Sequence, residues 1–160
     1  MLPKLIIPPP EPPEELPGYG LPDEPVLDWA FVAERMAAAT YYWIATVDPD
    51  GEPHTVPLWG VWQHDRLHFD GSPETRWARN LSANPVVAAH PPDAENVVII
   101  EGRARMMADD ELTEGEWAAL DGAYQAKYNS EGSPSWVVEP KLVLAWDGVR
   151  LGTMTRWRFE

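Results

Sequence analysis

The chain has 160 residues and no cysteine, so it is long enough for one hydrophobic core and contains neither a disulfide bond nor a thiolate metal ligand. Its 44% apolar and 24% charged residues are typical of a folded domain rather than of a disordered chain. The formal net charge of −14 disfavours nucleic acid and anionic membrane surfaces as partners, and the lack of cysteine fits a cytoplasmic protein.

Residues 1–25 predict a proline-rich arm. They contain nine of the 18 prolines, interleaved with acidic residues, and this composition favours extended polyproline conformations. The apolar run at residues 5–7 meets a triple proline at once and is too short for an export signal or a membrane span. Two interpretations stay open, a disordered tail or an arm that lies over a partner subunit. Residues 26–160 form the predicted folded domain.

The segment after the arm predicts one helix and then three strands. Asp28 is a favoured N-cap residue, and apolar residues follow it at helical spacing. The proline and glycine of residues 48–51 predict a tight hairpin turn. The predicted elements are a helix that ends near Ala39 and strands at about 41–47, 53–62 and 67–69.

Pro57 indicates an irregularity in the second predicted strand. A proline has no backbone N–H to give to a sheet, so we expect this strand to be an edge strand or to be bulged near residue 57. Either arrangement leaves backbone groups available to a ligand.

The rest of the chain predicts two more helices and several short strands. Ser72 is a candidate N-cap, with Pro73 at the first position of a helix over 72–82. Many short antiparallel strands with only two or three helices favour an antiparallel β-barrel of the α+β class. The remaining predicted elements are strands at 86–89, 97–106, 141–146 and 153–159 and a helix at about 109–128.

The start of the helix over 72–82 predicts an anion site. A helix N-terminus offers unpaired N–H groups and positive potential. Thr75 adds a hydroxyl, Arg76 can grip a phosphate with two hydrogen bonds, and Arg79 lies one turn further along. The alternative is a solvated helix face on which these arginines pair with Glu74 or other surface acids.

Four segments in this order resemble the pyridoxamine-phosphate-oxidase-like family: ATVDPDGEPHTVPLWGVW, LHFDGSPETRWARNLSANPVV, VVIIEGRARM and TRWRF. The resemblance runs from about residue 29 to the end. It implies a six- to seven-stranded antiparallel split β-barrel with two to three peripheral helices. It also implies a homodimer with two cofactor sites at the subunit interface, each binding FMN or the deazaflavin F420, and some relatives bind haem.

The resemblance implies a set of cofactor-binding residues. One strand runs along the ring system, a second segment holds the phosphate, Asn96 supplies an amide, and the C-terminal segment reaches the site from the other subunit. Where relatives commonly have a basic residue after the equivalent of Arg76, this chain has Trp77. Trp77 then either contacts the cofactor or packs on a neighbour, with Arg79 compensating, or phosphate affinity is weaker. The strand residues are His54, Thr55, Val56, Pro57, Leu58 and Trp59, the phosphate residues are Asp70, Ser72, Thr75, Arg76, Trp77 and Arg79, and the C-terminal residues are Arg156 and Trp157.

These residues favour an FMN- or F420-dependent oxidoreductase acting on a small molecule. No catalytic residue is predicted, because the sequence holds no acid–base pair or nucleophile in a recognisable context, and His54 is the best candidate for a polar contact near the ring. No metal site is expected. The alternatives are a flavin-binding or storage protein with little turnover, and a haem-handling relative that uses His54, His68 or His90 as a ligand.

Overall fold

The structure is a computed structural model that describes residues 1–13, 24–148 and 150–160. It contains three α-helices and eight strands within these ranges. In chain order they are α1 Trp29–Ala38, β1 Tyr42–Val47, β2 Pro53–Leu58, β3 Gly60–Gln63, β4 Arg66–Phe69, α2 Arg76–Ala83, β5 Val86–His90, β6 Val97–Met106, α3 Glu114–Tyr128, β7 Trp136–Trp146 and β8 Thr155–Arg158, with a short 3-10 helix, Leu151–Thr153, before β8.

All eight strands belong to one antiparallel sheet with the order β2-β1-β5-β6-β7-β4-β3, and β8 pairs with β7. The long strand β7 makes this arrangement possible, because its first residues pair with β4 and its last residues pair with β8. The sheet curls into a half-barrel with the helices around it, which confirms the predicted mainly β split-barrel fold.

The predicted start of the fold is confirmed. Asp28 caps α1 by accepting a hydrogen bond from the backbone N–H of Ala30. The turn at residues 48–51 joins β1 to β2, and Gly51 has a φ of 87°, a conformation that glycine adopts at little cost. β2 lies at the edge of the sheet, as the position of Pro57 predicts.

The predicted strand over 53–62 is two strands rather than one. β2 ends at Leu58 and pairs with β1, whereas β3 begins at Gly60 and pairs with β4. Trp59 lies at the break. At Gly60 a Cβ atom would come within 2.8 Å of the carbonyl oxygen of His68, so this close approach of two backbones requires glycine. The chain therefore leaves the β1 edge at Trp59 and crosses to the other side of the half-barrel.

Both later helices begin after their predicted starts. Thr75, rather than Ser72, is the N-cap of α2, because residues 72–75 form a turn closed by a hydrogen bond from Thr75 N to Ser72 O. α3 begins at Glu114 rather than near residue 109, because Thr113 and Glu116 form a capping box there.

The main core lies between the sheet and helices α1 and α2. Its largest fully buried side chains include Trp157, Tyr42, Phe69 and Met36. A second, smaller cluster lies under α3 around Leu120. Within the described ranges, no helix combines the length and the apolar character that crossing a membrane requires.

The first 13 residues of the predicted arm lie against the chain's own barrel. Leu2 is buried in the cluster under α3, and Glu11 forms an isolated antiparallel bridge with Arg156 of β8. The rest of the predicted arm, apart from residues 24 and 25, lies outside the described residues.

Candidate functional site

The free edge of β2 presents mainly hydrogen-bond acceptors. Pro53 and Pro57 have no backbone N–H to donate to β1. We infer that the backbone groups at these two positions point away from β1. Alternate residues of an antiparallel strand share one direction, and Thr55 therefore faces the same way. The edge offers the carbonyl groups of Pro53, Thr55 and Pro57 and a single donor, the N–H of Thr55. Among the described strands only β1 pairs with β2, so these groups remain available.

The start of α2 lies beside the turn that leads into β2. The Arg76 guanidinium donates to Asp48 of this turn, with 3.2 Å between Nη2 and Oδ2. Arg79 donates to the carbonyl oxygen of Glu74 at 2.6 Å, and both arginine side chains belong to exposed residues. Thr75 donates its hydroxyl to Ser72 O at 2.8 Å while it caps the helix. Of the predicted phosphate residues, Arg76 thus contacts the turn that leads into the predicted ring strand.

Asp48 is held as a carboxylate by its surroundings. Its Oδ1 accepts hydrogen bonds from the backbone N–H groups of Glu52 and Asp50, and its Oδ2 accepts from Arg76. The backbone bond from Glu52 is the largest of the effects that lower the pKa of Asp48, and the Asp50 N–H and the Arg76 guanidinium lower it further. The Asp48–Arg76 pair, which sequence reasoning missed, therefore fixes the arginine in its place.

A buried hydrogen bond fixes α2 on the sheet. The Asn80 side chain donates to the Thr46 hydroxyl at 3.0 Å, and both residues are buried. Because a buried polar group needs its partner, this bond sets the position of α2 relative to β1.

Trp77 packs on neighbours, one of the alternatives that the sequence left open. Its indole is 3% exposed and lies edge to face with Phe69 at 5.4 Å and with Trp136 at 5.6 Å between ring centroids. A Cβ atom on Gly71 would approach the Trp77 ring to 2.6 Å. The indole thus packs against the inner side of the loop before α2, and this buried position does not fit direct stacking on a cofactor.

Trp59 forms an exposed aromatic surface at the end of β2. It is 39% exposed and stacks on Tyr128 with 4.5 Å between ring centroids and 2° between ring planes. Tyr128 bonds through its hydroxyl to the backbone of Gly60, and the Lys127 ammonium donates to Gly60 O at 2.9 Å and to the Tyr42 hydroxyl at 2.8 Å. The end of α3 therefore fixes the break between β2 and β3.

Lys127 is a half-buried amine in these surroundings. Burial lowers its pKa to about 8. In the described part of the chain its hydrogen-bond partners are neutral oxygens, and none of the ion pairs involves it. Lys127 and Tyr128 thus both contact the segment that positions Trp59.

The C-terminal residues do not reach the β2 and α2 site of the same chain. Trp157 is 1% exposed and packs edge to face on Trp29 at 5.4 Å, so its prediction as a ring-stacking residue does not fit. Arg156 and Arg158 lie on the opposite face of β8, where both contact Glu11. Asn96 lies in the β5–β6 turn, and its backbone N–H donates to Asp93.

The candidate histidines are not equally placed. His68 is buried, and burial lowers its pKa to about 4. Its Nε2 lies 3.3 Å from Gln63 O, and its Nδ1 has no partner. His54 lies half-buried on β2 and His90 contacts Pro91 O. Within the described ranges, His, Asp and Glu side chains form no group of three suited to a metal ion.

Comparison with known families gives a match to the family described as pyridoxamine 5'-phosphate oxidase over residues 29–148. The chain belongs to this family. The matched region contains β2, the loop before α2 and α2 itself, and it leaves out the N-terminal arm and β8. A comparison of this family member with curated proteins gives no significant match.

Solved structures support the same fold. A conserved hypothetical protein, Rv2991, of Mycobacterium tuberculosis is 18% identical, with a TM-score of 0.65 over 84% of this chain and 93% of that one. A heme binding protein of Mycobacterium smegmatis is 23% identical, with a TM-score of 0.62 over 82% of this chain and 58% of that one. A pyridoxamine 5'-phosphate oxidase-related, FMN binding protein of Nostoc punctiforme is 18% identical, with a TM-score of 0.51 over 82% and 90%.

Proposed function

We propose that this protein is a homodimeric oxidoreductase that binds FMN or F420 between the free edge of β2 and the start of α2. The observation that carries the proposal is that an unpaired strand edge and a cationic helix start meet at one turn, through the Asp48–Arg76 pair. The family match and the FMN-binding neighbour support it.

The edge of β2 suits the polar edge of a flavin or deazaflavin ring. That ring edge has one N–H donor between two carbonyl acceptors. The carbonyls of Pro53, Thr55 and Pro57 can accept from the ring N–H, and the N–H of Thr55 can donate to a ring carbonyl. The match therefore uses backbone groups, whose positions the β1–β2 pairing fixes.

The start of α2 suits the phosphate of the same cofactor. The first N–H groups of the helix have no partner within it, and Arg76 and Arg79 add positive charge there. Thr75 has a hydroxyl in the same turn. Trp77 takes no part, so the arginines carry the electrostatic attraction.

A second copy of the chain would complete the site. The side chains of Pro53, Thr55 and Pro57 on β2 are exposed, and Tyr41 and Trp59, beside the paired ends of β1 and β2, are exposed at 48% and 39%. Exposed aromatic side chains beside an exposed strand face are typical of a region that a protein partner covers. We therefore expect two sites per dimer, with the second subunit shielding the ring.

The bound ring would supply the redox chemistry by accepting and giving up a hydride. The residues of this chain would hold the ring edge, bind the phosphate and exclude water, and this explains why no catalytic pair is needed. His54, half-buried on β2, is the candidate for a polar contact near the ring.

Titration of FMN and of riboflavin, followed by flavin fluorescence, tests the phosphate site. Arg76→Met is expected to weaken FMN binding by about 10- to 100-fold, because charge-assisted hydrogen bonds are lost, and to leave riboflavin binding unchanged. The matched control is Arg150→Met. Arg150 is also exposed, and it also pairs with an aspartate, Asp147, at 2.7 Å. Equal FMN affinity in Arg76→Met and the wild type would contradict the phosphate assignment.

A parallel titration with F420 separates the two cofactors, and turnover separates an enzyme from a storage protein. We expect the reduced cofactor to be reoxidised by a small-molecule acceptor when protein is present, faster than free cofactor. A protein that binds FMN or F420 tightly but leaves this rate unchanged is a storage protein, and the oxidoreductase proposal would be wrong. A Soret band after haem addition would favour the haem alternative.

A further inference from the structure

The N-terminal segment is bound to the barrel beside β8. Strand β8 pairs with β7 on one side, and on its other side Glu11 and Arg156 exchange two backbone hydrogen bonds of 2.8 and 3.0 Å. At the far end of the segment, Leu2 is 5% exposed in the cluster under α3. The segment is thus attached to its own chain at two separate points.

The Glu11 side chain lies between two arginines. Its Oε2 accepts from Arg156 Nε at 3.1 Å and from Arg158 Nε at 3.3 Å. Strand alternation puts both arginines on the outer face of β8, while Trp157 between them points into the core. Two guanidinium groups that converge on one carboxylate oxygen form an arrangement that also fits a phosphate or a free carboxylate.

A groove lies beside this cluster, between residues 4–11 and the neighbouring ends of β7 and β8. Its volume is about 620 Å³, within the range of small-molecule sites. Three of the chain's 12 basic residues line it, together with three acidic residues. The basic residues are Lys4, Lys141 and Arg158, and the acidic residues are Glu11, Glu139 and Glu160.

We propose that Arg156 and Arg158 form a binding site for a small oxyanion, a phosphate or a carboxylate, and that Glu11 is its intramolecular occupant. Residues 1–13 then act as a strap whose Glu11 end covers the site when the ligand is absent and leaves it when the ligand binds. The site is separate from the one at β2 and α2 of the same chain, and the proposal does not require a bound flavin.

The Glu11 end of the strap is held loosely enough to be displaced, while Leu2 stays buried under α3. The side chains of Glu11 and Arg158 are 39% and 50% exposed, and exposed ion pairs stabilise a structure little. Among the residues that the structure describes, the bridge to β8 consists of one residue pair rather than a ladder. An anion with two negative charges competes well against the single charge of a carboxylate at the same two guanidinium groups.

Hydrogen exchange of the N-terminal peptide tests the proposal on the full chain. Inorganic phosphate is the probe, with chloride at equal ionic strength as the reference. We expect phosphate to speed the exchange of the Glu11 amide, whereas chloride does not, and the amides of β6 and β7 to stay unchanged. In Glu11→Gln the amide of residue 11 should exchange about fivefold faster without any phosphate, because the ionic contact of the side chain is already lost. Added phosphate should not speed this exchange further.

Two further variants complete the test. In Arg158→Met the Glu11 amide should also exchange fast, and phosphate should not change its rate. Glu24→Gln is the control: it removes a carboxylate paired with Arg150 at 3.7 Å, and its Glu11 amide should exchange as in the wild type. An equal response to phosphate and chloride, or slow exchange in Glu11→Gln, would overturn the proposal.

FMN and riboflavin titrations of Glu11→Gln identify the source of the oxyanion. Tighter FMN binding with unchanged riboflavin binding assigns the arginine pair to the cofactor phosphate. Unchanged FMN binding, together with strap release by inorganic phosphate, assigns it to another phosphate or carboxylate ligand. Failure of FMN to bind either protein contradicts the proposed function alone, because the exchange measurement contains no flavin.

Discussion

Replacement of Lys127 by methionine tests the electrostatics at the junction of α3 with the break between β2 and β3. Burial lowers the pKa of Lys127 from 10.5 to about 8, so the folded state disfavours the charged amine. Converted in full to free energy, this pKa shift would correspond to a destabilisation of slightly more than about 3 kcal/mol. The amine is only half-buried and solvent screens it, so we expect the charged amine to lower the free energy of unfolding by about 1–2 kcal/mol at neutral pH. Methionine has a similar volume and no charge, and removes this cost.

The sign of the pH dependence follows from proton binding. Above about pH 8 the folded protein releases the Lys127 proton, while the unfolded chain keeps it up to about pH 10.5, so wild-type stability rises with pH across this window. Lys127→Met has no such gain. The Tyr42 hydroxyl that Lys127 leaves behind still donates to Met36 O. Gly60 O stays 2.8 Å from the Tyr128 hydroxyl, whose single proton it shares with Thr40 O.

Urea denaturation from neutral pH to about pH 10 measures the difference. We expect the stability of Lys127→Met relative to the wild type to fall by about 1–2 kcal/mol across this range. Other titrating groups are common to both proteins and cancel. Lys141→Met, at an exposed position of β7, corrects for the loss of one positive charge. A stability difference that is constant with pH would refute the reasoning and leave the two hydrogen bonds of Lys127 as its main contribution.

Three further single-residue variants and one double variant test the loop before α2 and the residues that contact it. Trp77→Ala should lower the free energy of unfolding by about 3–5 kcal/mol, because a buried indole packed on Phe69 is lost, and a loss under about 1 kcal/mol in urea denaturation contradicts its core position. Gly71→Ala should cost about 1–3 kcal/mol through its approach to the Trp77 ring, and the double variant with Trp77→Phe should recover part of that loss. Asp48→Asn should raise FMN affinity about fivefold by releasing Arg76, with riboflavin affinity unchanged in the same fluorescence titration.

Local features of the sequence predicted much of the fold. The turn at residues 48–51, the cap at Asp28 and the edge position of Pro57 each depend on the backbone preferences of one or two residues, and the structure confirms all three. The anion site at the start of α2 was predicted on the same grounds and stays a prediction, and the structure places Arg76 against Asp48 in the turn before β2. The family resemblance, which also rests on short segments, is confirmed as well.

The features that sequence reasoning missed depend on contacts between distant residues. The break at Trp59 requires α3, whose Tyr128 hydroxyl bonds to Gly60 from 68 positions along the chain. The bridge from Glu11 to Arg156 spans 145 positions. Whether Trp157 faced the core or a ligand could not be read from alternation alone, because a strand pattern gives two faces without saying which one the sheet buries.

The acidity of the chain leads to one more consequence for both proposed anion sites. With a net charge of −14, each proposed anion site contains an arginine that already contacts a carboxylate, Arg76 with Asp48 at the first site and the Arg156–Arg158 pair with Glu11 at the second. A ligand that binds one of these arginines therefore replaces a carboxylate that is already there. The exchange favours a doubly charged phosphate over a singly charged anion, since the second charge is the part that the displaced carboxylate lacked. It also keeps the positive charge from binding nonspecific anions, so selectivity for phosphorylated ligands can arise in a protein that has only 12 basic residues.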